Sequence, residues 1–135
     1  MSKKNSIVLK RKNCFSSSRQ LLNIYLNFKK KIFKLRTNKF LVAVSGGPDS
    51  LALSAMCKAF QSNEKKKLFY YVYVNHGIRK NSHLEAKKVQ KILNKQNISL
   101  KIVNNQKKII NNVQHNARKE RYSLLNKECK KKKIK

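Results

Sequence analysis

The sequence predicts an α/β fold, a doubly wound parallel sheet, on three observations. Short continuous apolar runs alternate with longer segments whose apolar residues recur at spacings of three and four. The links between them are a few residues long, and strand–helix–strand at such spacing gives parallel strands joined by right-handed crossovers. Two of the three glycines and the only proline fall together, between the first apolar run and the first helical segment after it.

Residues 1–18 are basic, rich in serine and free of acids, and read as a basic extension. A transit peptide has similar composition, but favours arginine where this chain has lysine. Over residues 18–35, Leu21, Leu22, Tyr25, Leu26, Phe28, Ile32, Phe33 and Leu35 outline an amphipathic helix with a lysine-coated outer face. Residues 40–44 (Phe-Leu-Val-Ala-Val) form a strand apolar on both faces. The segment 51–60, with Leu51, Leu53, Ala55, Met56, Ala59 and Phe60, is helical in type and length. A lysine-rich turn precedes a second strand, Leu68 to Val74, rich in tyrosine and valine.

Ser82-His83-Leu84-Glu85 matches the capping box: Ser82 would accept from the third helical amide while Glu85 reaches back to the amide of Ser82. That helix should face inward with Leu84, Val89, Ile92 and Leu93 and end near Asn97, before a third strand over residues 98–103. A last helix, residues 113–128, carries Ala117, Leu124 and Leu125, and Lys130 to Lys133 should fray into solvent. The organisation is thus an extension (1–18), a helix (19–39), the front of an α/β domain (40–128) and a lysine-rich tail (129–135).

At 135 residues the chain is one domain or a piece of one, and its 40% hydrophobic content is enough for a small core. The longest apolar run has seven residues (68–74), against the ~20 that span a bilayer, so no membrane span is expected. Cys14, Cys57 and Cys129 are scattered and odd in number, which argues against a disulfide framework or a zinc cluster. The net charge of +29 favours a polyanionic partner, nucleic acid first. Part of that charge is codon drift: 28 Lys, 6 Arg and 16 Asn are what an A/T-rich genome produces. Such a genome belongs to a plastid or a reduced endosymbiont, so the expected location is the chloroplast stroma or a bacterial or endosymbiont cytoplasm.

Against that bias the exceptions are informative. The only aspartate, Asp49, and the only proline, Pro48, sit in Ser45-Gly46-Gly47-Pro48-Asp49-Ser50. A strand, a glycine turn and a helix opening at Asp49 or Ser50 make an anion site, where backbone approaches phosphate closely and the first helical amides point at it. Ser45 and Ser50 add hydroxyls without charge. Asp49 beside phosphate calls for a cation, and magnesium is the sensible one. A plain helix cap is the alternative, but the strand before, the helix after and the retention of Gly, Pro and Asp together favour the anion site. A Walker loop fails because no lysine follows Gly47, and a dinucleotide fingerprint fails because it needs three spaced glycines.

The loop resembles the Ser-Gly-Gly-x-Asp-Ser signature of the PP-loop ATP pyrophosphatases, which split ATP between the α and β phosphates. Two further segments resemble the tRNA(Ile)-lysidine synthase family: Val74-Asn75-His76-Gly77-Ile78-Arg79 followed by Ser82 and Glu85-Ala86, and Asn112-Val113-Gln114 followed by Ala117-Arg118-Lys119-Glu120-Arg121-Tyr122. The resemblance implies an adenine nucleotide alpha hydrolase-like fold and ATP with magnesium, with Ser45, Gly46, Gly47, Pro48, Asp49 and Ser50 at the nucleotide and Asp49 as catalytic and metal-holding residue. It further implies an isoleucine tRNA with a CAU anticodon, and free lysine ligated to its wobble cytidine through an adenylated base. Other PP-loop chemistry on a nucleobase, such as thiolation, and a non-catalytic nucleotide- or RNA-binding remnant are the alternatives.

Secondary candidates are Asn75, His76, Arg79, Arg118 and Arg121. Asn75 stands where the family usually has Asp, which removes a charge from any metal or ribose contact there. His76 could be a ligand, a base or a structural residue; Arg118 and Arg121, three apart on one helical face, suit phosphate. Tyr122 is expected in the core, and His83 and His115 on the surface. The family's domain continues beyond the segment seen here, so a fragment, a truncated gene or a second chain that completes it is expected.

Overall fold

The computed structural model describes residues 14–135, so most of the sequence-defined basic extension lies outside the described residues. The chain divides into two compact units, meeting at Lys34 and Leu35. In the first, a short 3-10 turn over Cys14–Ser17 leads into α1, Arg19–Lys34, the amphipathic helix expected from its spacing. Tyr25 of α1 stacks on Phe15 and Phe28 with ring centroids 5.0 and 6.3 Å away.

The second unit runs β1 (Lys39–Ala43), α2 (Pro48–Asn63), β2 (Leu68–Asn75), α3 (Ser82–Lys95), β3 (Leu100–Asn104) and α4 (Val113–Lys131). Its three strands pair in parallel in the order β1-β2-β3. Phe40 stands opposite Phe69, and Tyr71 opposite Leu100. Because successive strand residues alternate faces, the contacts of β2 assign the helices. Phe69 meets Phe60 of α2 edge-on at 6.0 Å, and Gln90 of α3 donates to the Leu100 carbonyl at 2.9 Å. On the opposite face Lys132, just past α4, lies 4.9 Å over the Tyr70 ring, and Lys101 of β3 pairs with Glu128 of α4. Helices therefore cover both faces, as a doubly wound sheet requires. The core is built from Val42, Phe60, Phe69, Val72, Ala86 and Leu93 with their neighbours. Among the described residues no helix is long and apolar enough to cross a membrane.

Several local expectations are corrected. The capping box does not form: α3 is preceded by Asn81, no side chain caps it, and Glu85 instead lies 3.9 Å from Arg79. An extra turn, Ser82 amide to Arg79 carbonyl at 3.0 Å, brings the chain into the helix with Asn81 at φ −99° and ψ 8°, away from the extended geometry a cap needs. Leu84 and Ile92 are exposed; Ala86, Val89 and Leu93 make the buried stripe. Tyr122 is exposed rather than core, with the Arg118 guanidinium 5.7 Å from its ring.

The C-terminal lysines do not fray. Lys133 takes φ +53°, its amide bonds the Lys130 carbonyl at 3.1 Å, and Ile134 reaches back to Cys129 at 2.9 Å. This is a Schellman motif. α3 ends in the same way, with Asn97 at φ +57° and Ile98 bonded to Leu93 at 3.0 Å.

Candidate functional site

The loop leaves β1 along the ladder: the Val44 amide still bonds the Val72 carbonyl at 2.8 Å. Two constraints then require glycine at Gly46. Its φ is +88°, and a Cβ there would stand 2.6 Å from Cγ2 of Val89 on α3. Gly47 precedes α2 in extended geometry, and Pro48 occupies the first helical turn, where its missing N–H costs nothing.

The Ser50 hydroxyl gathers the loop. Its oxygen accepts from the amides of Ser45 (3.2 Å) and Gly46 (3.1 Å), lies 3.2 Å from the Ser45 hydroxyl, and donates to the Gly47 carbonyl at 3.0 Å. The Gly47 amide donates to Ser45 Oγ at 3.4 Å. Successive amides thus converge on serine oxygens at the positive end of α2, the arrangement that receives an anion. Asp49 sits in the first turn of α2, exposed, and among the described residues no basic side chain pairs with it. No cluster of three potential metal-ligating side chains occurs among the described residues. A magnesium ion at Asp49 would therefore take its remaining ligands from phosphate and water, the usual habit of that ion.

Beside the loop, at the carboxyl ends of β1 and β2, lies a cavity of about 440 Å³. Ser45, Asn75, His76, Arg79 and Arg121 line it, so five of the residues singled out from sequence come together here. Arg118 lies outside it. Arg118 lines a neighbouring cavity of about 490 Å³ that shares His76, Ile78, Arg79 and Arg121 with the first, and Tyr122 stands beside it there. His83 and His115 are exposed, as expected.

Asn75 has a structural role that the sequence did not reveal. Its Nδ2 donates to Asn104 Oδ1 at 3.1 Å, its Oδ1 accepts from the Gly77 amide at 3.1 Å, and it is buried. The pairing follows from register, since Asn75 and Asn104 are opposite each other at the ends of β2 and β3. His76 is half-buried; Arg121 Nε donates to its Nε2 at 3.4 Å. Burial and the Arg121 charge hold the imidazole below its ordinary pKa. Accepting at Nε2 leaves the ring proton on Nδ1, which is buried without a partner among the described residues.

A phosphate-type loop joining the first strand and helix of a parallel sheet, with a cavity at the strands' carboxyl ends, defines a nucleotide-binding α/β domain. The chain belongs to the PP-loop domain family, which matches residues 16–135. It is similar to the tRNA(Ile)-lysidine synthases of Lactobacillus gasseri (42% identity over 65 residues, 48% of this chain), a Wolbachia of Brugia malayi (35% over 100, 73%) and Orientia tsutsugamushi (39% over 94, 67%). The chain spans 15%, 23% and 21% of those relatives' own lengths.

Proposed function

We propose that this chain is the nucleotide-binding part of an ATP-dependent tRNA-modifying ligase that attaches lysine to the wobble cytidine of an isoleucine tRNA. The observation that carries the reading is the Ser45–Ser50 loop, whose amides converge at the start of α2 beside a cavity holding Arg121. The named relatives support the tRNA and lysine parts. In this reading the cytosine O2 attacks the α phosphate of ATP and pyrophosphate leaves. The lysine amine then displaces AMP from carbon 2.

The loop amides and the α2 dipole stabilise charge that grows on phosphoryl oxygens in the transition state. Arg121 and Arg79 offer guanidinium donors from the cavity wall. Asp49 would hold magnesium, which supplies charge neutralisation of the polyphosphate when bound. The lysine-rich surface attracts the tRNA backbone without reading its sequence. The compartment we propose, plastid stroma or bacterial cytoplasm, rests on the A/T-rich codon signature of the composition.

Calorimetry with ATP and magnesium on the parent and Asp49→Asn chains tests the reading. Asp49→Asn should weaken binding at least tenfold while the unfolding midpoint stays close to that of the parent. Equal affinities refute the role of Asp49, and a parent chain that binds no ATP refutes the nucleotide site.

A further inference from the structure

His76 belongs to the half-buried wall shared by the two cavities, while Arg121, its partner, is exposed on α4, 45 residues later in sequence. An exposed arginine facing a cavity would sample many rotamers, and an anion would have to gather it at the expense of affinity. Here one of its five N–H donors is already committed, Nε to His76 Nε2. That leaves both terminal amino groups of the guanidinium for a ligand. The imidazole can serve as this anchor only while it is neutral, because a protonated Nε2 has no lone pair and carries a charge like that of Arg121. Burial and the positive charge beside the ring favour the neutral form: the ring is partly desolvated, Arg121 is in contact, and Arg79 lines the same cavities. Glu120 would favour the charged form, but it is engaged by Lys107 at 2.8 Å.

We propose that His76 is a positioning residue: as a neutral hydrogen-bond acceptor it holds the Arg121 guanidinium at the wall between the two cavities, preset for a phosphate group of the nucleotide. The histidine itself touches no phosphate. This rests on the nucleotide reading of the Ser45–Ser50 loop, and it assigns His76 neither metal ligation nor proton transfer. The specific consequence is that His76 and Arg121 act as one unit.

The test is a double-mutant cycle on the 135-residue chain, with ATP affinity measured calorimetrically for the parent, His76→Leu, Arg121→Ala and the double variant. A fifth protein, His76→Gln, keeps an acceptor oxygen near the position of Nε2. Losing a charge-assisted contact predicts about a tenfold weakening for His76→Leu and for Arg121→Ala. The double variant should bind no more weakly than Arg121→Ala, and His76→Gln should stay within about threefold of the parent. Losses that multiply in the double variant, or a His76→Gln chain as weak as His76→Leu, overturn the proposal.

A ligand-free arm separates this failure from failure of the nucleotide reading. Nitrogen NMR of the His76 ring should report Nε2 unprotonated and Nδ1 protonated in the parent, with the Nε2 resonance moving in Arg121→Ala. A ring with its proton on Nε2 overturns the pairing even where ATP binds. A parent that shows the expected tautomer but binds no ATP overturns the nucleotide reading, and with it the use we assign to the pair.

Discussion

Replacing Gly46 with alanine should be among the most damaging single-methyl additions available to this chain. Two costs add. A side chain at φ +88° pays roughly 1–2 kcal/mol for a left-handed backbone. The new Cβ would also stand 2.6 Å from Val89 Cγ2, which is 0.8 Å inside the 3.4 Å at which ordinary contact begins. Val89 is buried on α3, so relief means forcing its β-branched side chain off its packed rotamer or shifting the helix, and overpacking of that kind costs about 1–3 kcal/mol. The sum is ~2–5 kcal/mol, a large share of a small domain's stability. Urea unfolding of Gly46→Ala measures it, provided the slope with denaturant is unchanged. Val89→Ala supplies the internal check. In that background the clash is gone and only the backbone part, about 1–2 kcal/mol, should remain. A Gly46→Ala chain within about 0.5 kcal/mol of the parent would refute the reasoning, and so would equal costs in the two backgrounds.

Three further outcomes follow from the same fold. Glu128 is held below its ordinary pKa of 4.5, first by the Lys101 hydrogen bond and then by Lys131. Its contribution to stability is therefore complete above that value and is lost as pH falls through the depressed folded value. Thermal midpoints from pH 6 to pH 2 should drop less steeply for Glu128→Gln than for the parent; parallel curves would remove Glu128 from the account. The Cys57 thiol is buried and pushed up to about 12, so alkylation at pH 8 should wait for unfolding, and rapid labelling of Cys57 in native buffer would contradict its placement. Binding of tRNA should weaken steeply and log-linearly with salt and discriminate little between sequences. A flat salt response would exclude lysine–phosphate contacts as its source.

What was legible in the sequence is what depends on local pattern. The continuous apolar runs 40–44 and 68–74 gave strands within a residue or so of their observed ends, because a strand sandwiched between helices has no polar face. The phosphate-type loop was legible for a different reason: backbone geometry at Gly46 admits no other residue, so drift towards lysine and asparagine could not erase it. What failed depends on partners distant in sequence. Glu85 had the right spacing for a capping box, yet the turn at Arg79 changed the entry of the chain. Leu84 and Ile92 were read as inward because periodicity fixes a stripe but not its width, and on α3 the small Ala86 fills the middle of the contact. Glu128 is the last residue of the expected final helix, beside the lysine run; only its contact with Lys101 on β3 explains why a carboxylate is buried there. The Asn75–Asn104 bond needed the strand register.

The hydroxyl of Ser50 has a consequence for selectivity. By accepting from the Ser45 and Gly46 amides it acts as a placeholder, occupying donors that an anion would otherwise find free. Any anion entering the loop must displace a neutral oxygen that already satisfies those amides, so its affinity is the difference between two sets of hydrogen bonds. Weakly accepting ions such as chloride would gain almost nothing from that exchange, whereas the charged, strongly accepting non-bridging oxygens of a polyphosphate would gain at every amide. On the proposed nucleotide reading the loop would thus keep its shape without a ligand and favour a polyphosphate over the commoner small anions.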